Sequence, residues 1–307
     1  MGRLTSVLFA AAAAQAPLAL AAQTTAVSPP EVFLADMQAQ SQTRRMSILF
    51  DGYAPVPIIG QIKVGETRIE ADIGPERYRA DAHARAGGIV GWFVDYNLFL
   101  DVEGAVTADG LRPRTYNSFN DDGNKNRRVD VTYSADDVVT VAEPRFGSMG
   151  EPAANLEQRL EGIDPISAIM SMGLSIGATP DNPCGDPLQV YDGKQRYDLV
   201  LTYNQSRTMQ TPAWNGPAIQ CDIDYVEIAG FRSKTPEKRA EERADIAWLH
   251  VWLGEYADGA RVPIKLEGRS NRRGKISLIA REASFEPVDT VSRQADASGV
   301  IEPPTAR

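Results

Sequence analysis

The chain has 307 residues, 41 acidic against 32 basic side chains, a formal net charge of −9, and two cysteines. That balance excludes the broad basic footprint on which nucleic-acid binding depends, and it disfavours docking of the whole surface onto anionic lipid. With His83 and His250 as the only histidines, a catalytic or metal site built on imidazole would have to recruit one of them from a distance.

The chain opens on a short cationic segment, Met1-Gly2-Arg3, followed by an apolar, alanine-rich run from Leu4 to Leu20. Ala19-Leu20-Ala21 offers a small-x-small cleavage site, so residues 1–22 read as a secretory signal peptide. The apolar run is short for a membrane span, and nothing like it recurs. No cysteine follows the cleavage site, which leaves no lipid anchor there. Loss of Arg3 moves the net charge from −9 to −10. The expected location is the periplasm, and two cysteines in an exported chain read as one disulfide, Cys184–Cys221. Its contribution in the chain-entropy model is about 4 kcal/mol, an upper figure.

Residues 23–45 mix Pro, Gln, Thr and Ser and read as a linker, with a short helix over Glu31 to Met37. Period-two alternation starts at Met46. The segment SILFDGYAPVPIIGQIKVGETRIEAD reads as one strand, a proline-bounded kink, then two strands around Val64-Gly65-Glu66-Thr67. Tyr78 to Ala86 is a further strand. Gly91 to Val106 is the clearest long strand, with Trp92, Val94, Tyr96, Leu98, Leu100 and Val102 on one face. Leu111 to Phe119, Arg127 to Tyr133 and Val138 to Val141 follow.

The period then changes. Asp164-Pro165 has the form of an N-cap with proline at the first helical position. Ile166, Ile169, Met170, Gly173 and Leu174 make an apolar helical stripe. Leu188 to Tyr191, a turn at Asp192-Gly193 and a long alternating strand form a hairpin. Ile219, Cys221, Ile223 and Tyr225 share one strand face, so the disulfide would clamp the loop after the helix onto the sheet. Ser233 to Asp245 is densely charged and reads as a surface helix begun by Pro236 or as a loop. Ala247 to Tyr256 is apolar on both faces and should lie near the middle of the sheet; Val262 to Gly268 and Lys275 to Phe285 are the last strands.

These elements define an all-β, mainly antiparallel fold: a strongly curved sheet or open half-barrel, with one short helix packed on it and one disulfide. The expected organisation is a signal peptide (1–22), a linker (23–45), one domain (46–286) and a disordered tail (287–307).

Three stretches carry a resemblance. GLRPRTYNSF follows a long strand, DPISAIMSMG precedes a cysteine, and VYDGKQRYDLVL is followed by IQCDIDYVEIAGFR and WLHVWL. In this order they resemble the exported bacterial family known as domain of unknown function (DUF) 3108, over roughly Met46 to Phe285. The resemblance implies a periplasmic β-rich half-barrel and supplies no catalytic residues to carry over.

Chemistry-bearing patterns are few. Asn120, Asp122, Asn124 and Asn126 alternate oxygen ligands, but Val131 stands where a calcium loop needs a bidentate Glu, and a hairpin turn explains the same residues. Arg196 and Asp198 share a strand face and have Asp222 or Asp224 as cross-strand partners, or else a polar ligand. Met170, Met172, Trp92, Phe93, Trp248 and Trp252 would line an apolar pocket in the curved sheet if its core is not filled. No cofactor is implied. The reading is a non-enzymatic envelope protein that binds a partner or a lipid-like ligand, with a carboxylate-dependent hydrolase or a scaffold as alternatives.

Overall fold

A computed structural model describes residues 30–56, 58–87, 96–122, 126–233, 235–272 and 274–288. The signal peptide, nearly all of the expected tail, Gly91 to Asp95 and the Gly123-Asn124 turn lie outside the described residues. The strands are β1 (Arg44–Val56), β2 (Gly60–Ile73), β3 (Arg77–Ala86), β4 (Asn97–Thr107), β5 (Gly110–Asp121), β6 (Arg127–Tyr133), β7 (Val138–Glu143), β8 (Leu188–Tyr191), β9 (Arg196–Thr211), β10 (Trp214–Ala229), β11 (Ile246–Glu255), β12 (Arg261–Ser270) and β13 (Gly274–Pro287). Four helices accompany them: α1 (Pro30–Ala39), α2 (Leu156–Glu161), α3 (Pro165–Gly173) and α4 (Pro236–Asp245). The charged segment is therefore a helix, and the expected short helix at Glu31 to Met37 is α1. Leu34 and Met37 of α1 are buried in the core, so this stretch packs on the domain.

The strands form one sheet in the order β7-β6-β5-β4-β3-β2-β1-β13-β12-β11-β10-β9-β8. Alternation sets its inner face. On β3, for example, Tyr78, Ala80 and Ala82 are buried while Arg77, Arg79 and Asp81 face out. β11 is interior, as its two apolar faces require, but it lies well away from the centre, which is occupied by β1.

One sequence reading needs correction at β2. No turn occurs at Val64–Thr67, and β2 runs through it as a single strand. The register steps from Gly52↔Gly65 to Tyr53↔Lys63, so Val64 is an extra residue in a β-bulge. A Cβ on Gly65 would stand 2.5 Å from the Arg85 carbonyl oxygen, so glycine serves close strand approach here. The real turn is at Ile58-Ile59. Ile58 adopts φ +72°, where a β-branched residue costs roughly 1–2 kcal/mol.

α3 fills the curve of the sheet. Asp164 caps it, its Oδ1 accepting from the backbone N–H of Ile166 at 2.9 Å and of Ser167 at 3.0 Å. Ile166, Met170 and Leu174 pack on a core cluster that includes Met46, Ile48, Phe50, Tyr78 and Phe285. Ala168 and Met172 pack on a second cluster with Val190, Ile219, Cys221 and Val251. The helix is thus buried on more than the single stripe its periodicity gave. Met170 and Met172 are filling groups, and the pocket expected beside them is occupied by core.

The two edge strands do not pair with each other, and α2 covers the gap between them. Arg159 Nη1 donates to the Val138 carbonyl on β7 at 2.6 Å, and Arg196 Nε on β9 donates to the Gln158 carbonyl at 3.0 Å. Ile163 makes a parallel bridge with Val190, donating to the Gln189 carbonyl and accepting from the Tyr191 N–H, both at 2.8 Å. Tyr191 Oη lies 3.0 Å from Thr140 Oγ1, linking β8 to β7. The open edges are thus covered by a helix and its following residue. No helix among the described residues is long and apolar enough to cross a membrane.

Candidate functional site: a cleft at the end of the inner helix

One opening lies between α1, the β4–β5 turn and the residues that leave α3. It has a volume of about 330 Å³ and is lined by Leu34, Ala35, Gln38, Ala108, Leu174, Ser175, Ile176 and Gly177. That volume falls at the low end of the roughly 300–1,000 Å³ typical of small-molecule sites. A second hollow, beside Glu151 and Glu227, measures about 30 Å³ and has room for little more than water.

The cleft's chemistry follows from how α3 ends. Leu174 closes the helix with αR geometry, and Ser175 then turns to φ +55°. This places Ser175 at 3% exposure with a hydroxyl that has no hydrogen-bond partner. A buried, unpaired hydroxyl costs on the order of 1–3 kcal/mol. Around it the lining is aliphatic, apart from the Gln38 amide, which donates to the Pro75 carbonyl at 3.3 Å. No carboxylate, imidazole or thiol is among these lining residues.

At the other end of α3 polarity is satisfied. Asp164 is fully buried; Ser167 Oγ donates to its Oδ2, and Tyr78 Oη lies 2.7 Å from Ser167 Oγ. Burial pushes the Asp164 carboxyl up to about 6, against the opposing effect of its hydrogen bonds from Ser167 and Ile166. Burial, and next the nearby Asp164 charge, push the phenols of Tyr116 and Tyr133 well up. This network anchors the helix start.

The predicted chemistry-bearing residues are scattered. His250 bonds Glu267 at 3.2 Å and stacks on Trp248 with ring centroids 4.6 Å apart. Glu267 also meets Lys265 at 2.8 Å and Lys275. Burial alone would raise the Glu267 carboxyl, but hydrogen bonds from Lys265, Lys275 and His250 hold it down to about 2. Cross-strand register runs Ser277–Glu267–His250, which puts Ser277 two strands from the imidazole, roughly 9–10 Å. A serine–histidine nucleophile pair does not form there. His83 stacks on Phe99 at 4.3 Å on the outer face. Arg196 pairs with Asp198 of its own strand and with Glu161 of α2 at 3.7 Å. Its expected partners lie elsewhere: register sets Asp222 opposite Thr202 and Asp224 opposite Val200. Among the described residues, no group of three or more His, Cys, Asp or Glu side chains could hold a metal ion.

Cys184 and Cys221 form a disulfide with Cα atoms 5.8 Å apart, both buried. It fastens the loop after α3 to β10, within the second core cluster. The Asp192–Gln195 turn between them is a four-residue loop closed by Asp192. Its Oδ1 accepts from the N–H groups of Lys194 at 2.9 Å and Gln195 at 2.6 Å. Sequence reasoning passed over Ser175; the signal was a polar residue set directly after the apolar run of α3.

The model of the family described as "Protein of unknown function (DUF3108)" matches residues 53–274. The chain is similar to the solved structure of a β-barrel-like protein of domain of unknown function DUF1849 from Brucella abortus. That match has 10% identity and a TM-score of 0.47, covering 81% of this chain and 99% of the other. It is also similar to a protein described as a "putative lipoprotein" from Parabacteroides distasonis, at 8% identity and TM-score 0.27, covering 80% and 95%. No curated protein matches the chain.

Proposed function

The chain belongs to the DUF3108 family, and we infer that it works as an exported binding protein which holds an apolar, lipid-like molecule in the cleft between α1 and the end of α3. The observation that carries this reading is the buried Ser175 hydroxyl, left without a partner where an aliphatic cleft of about 330 Å³ opens. Ligand sites commonly combine an apolar lining with one or two placed polar groups; the Ser175 hydroxyl is closed off from solvent, so a ligand oxygen would supply the missing bond once Ser175 turns toward the opening. The disulfide supports an oxidising, periplasmic setting, in keeping with the signal-peptide reading of residues 1–22. Non-enzymatic action is favoured because the cleft lining offers no acid, base or nucleophile pair. A carboxylate-dependent hydrolase would need two acids flanking such an opening. The service to the cell envelope is then carriage or sensing of an envelope amphiphile.

Native mass spectrometry of gently purified protein, together with titration of a fluorescent fatty-acid probe, tests this. Bound amphiphile mass and probe displacement are expected, and Ala35→Trp, which sets an indole at the cleft, should weaken the probe at least tenfold. Protein that arrives empty and takes up no probe would sink the reading.

A further inference from the structure

The β1–β2 hairpin leaves the sheet before it ends. The last β1–β13 pair is Tyr53↔Ser277, and the last β2–β3 pair is Gly65↔Ala86. Beyond them, among the described residues, Ala54, Pro55 and Val56 pair only with Ile62, Gln61 and Gly60. At about 3.3 Å per residue, the paired positions from Tyr53 to Val56 carry the ribbon about 10 Å past its last pairing with β13, alongside the β12–β13 turn, where a Cβ on Gly274 would stand 2.9 Å from Pro55 Cγ. The tip side chains are Ile58, with 107% exposure, and Ile59, with 69%. Tight turns favour Gly, Asn or Asp, above all where φ is positive, yet Ile58 sits at φ +72°. Neither isoleucine joins the described core clusters. Their use therefore lies outside the fold.

The surroundings name the partner. From Gly52 to Gly65 the chain has no Asp or Glu, although it holds 41 elsewhere. Beside the ribbon stands the β12–β13 turn, held by Gln61 Nε2 donating to the Lys275 carbonyl at 2.9 Å. That turn brings Arg269, Arg272 and Lys275, all exposed. Arg272 pairs with Glu241 and Lys275 with Glu267, while Arg269 has no ion pair among the described residues. Two more exposed isoleucines, Ile246 at 52% and Ile276 at 47%, occupy the same end.

We propose that this end docks on a phospholipid surface, with Ile58 and Ile59 inserted at the headgroup–acyl boundary and Arg269, Arg272 and Lys275 facing lipid phosphates. Interfacial insertion depths are roughly 5–10 Å, so a tip standing just beyond the β12–β13 turn is seated while that turn's cations remain at the headgroups. The net charge of −9 repels anionic lipid over the rest of the surface, which keeps the attachment local and reversible. This docking does not depend on the cleft, which lies at the opposite end of the strands, where Thr107↔Gly110 and Ile73↔Tyr78 close their turns.

Co-sedimentation of the full chain with vesicles of phosphatidylethanolamine and phosphatidylglycerol is the test. Wild type and variants share the same N-terminus, so any contribution of residues 1–22 cancels. The double substitution Ile58→Gly, Ile59→Ser should lower vesicle binding at least fivefold without lowering the thermal midpoint, because Gly suits φ +72°. A control, Val139→Ser with Val141→Ser on the exposed side of β7, should bind like wild type. Any one of three results overturns the proposal: equal binding by wild type and the Ile58/Ile59 variant, no binding by wild type, or ribbon-dependent self-association without vesicles.

Discussion

At the start of α3, Asp164 is fully buried and accepts hydrogen bonds from two backbone N–H groups and the Ser167 hydroxyl, whereas at its end Ser175 is buried at 3% exposure with a hydroxyl that has no partner. One helix thus meets both solutions to buried polarity. A satisfied group fixes the helix in the sheet, and its cost is local and electrostatic. An unsatisfied group beside an opening leaves a bond to be made by something else. The same contrast separates scaffold from candidate site in this molecule.

The largest effect should come from cutting the covalent tie that holds the Ser175 end. Replacing Cys184 and Cys221 together by Ser is expected to lower stability by about 3 kcal/mol. For a domain of this size that is about 6–12 °C in Tm by calorimetry. Hydrogen exchange should rise in residues 175–185 before it rises at Asp164, and equal loosening at both ends would contradict the division drawn here. Unchanged Tm on reduction would mean that the bridge has no stabilising role.

Next comes the charge at the opposite end. The Asp164 carboxyl titrates at about 6 in the folded chain and near the ordinary 3.8 when unfolded, so the native state binds this proton more tightly. Its favourable contribution is complete below about pH 4 and is lost as pH rises through about 6, amounting to roughly 3 kcal/mol. Asp164→Asn keeps a good N-cap and removes the titration. The wild-type-minus-variant difference in unfolding free energy should therefore decline between pH 4 and 6 and be flat above. A flat difference throughout would place Asp164 in contact with water.

The smallest change is at Ser175. Ser175→Gly relieves φ +55° and removes an orphaned hydroxyl, so denaturant unfolding should show a gain of up to about 1 kcal/mol. Probe affinity in the cleft should fall over the same substitution. A loss of stability would show that Ser175 has an internal partner and would dissolve the contrast with Asp164.

Local chemistry made part of this legible. Asp164-Pro165 announces the start of α3 because capping and fixed φ act within a few residues, and Asp192-Gly193 announces its hairpin for the same reason. Alternation in β4 gave its inner face directly, with Val102 buried and Phe99, Asp101 and Glu103 exposed. Gly65 misled, because a glycine needed for close strand approach has the same letter as one needed for a turn. The true turn at Ile58-Ile59 was hidden in β-branched residues that local rules place inside strands. The covering of the β7 and β8 edges by α2, and the opening at Ser175, depend on segments far apart in sequence. Neither periodicity nor motif spacing contains that information.

The pairing of β1 with β13 sets a condition on how the molecule can be made. Arg44 lies opposite Pro287, so the centre of the sheet joins the first and last described strands. Non-local pairing of this kind folds slowly, since a long loop must close before the contacts that offset its entropy appear. A chain emerging N-terminus first holds β1 to β12 with a raw edge through its middle, and Met46, Ile48 and Phe50 stay uncovered along it. Only arrival of Ile276 to Phe285 seals that edge. Removing those residues would therefore split the sheet at its centre, while the loss of β7 or β8 would trim a margin.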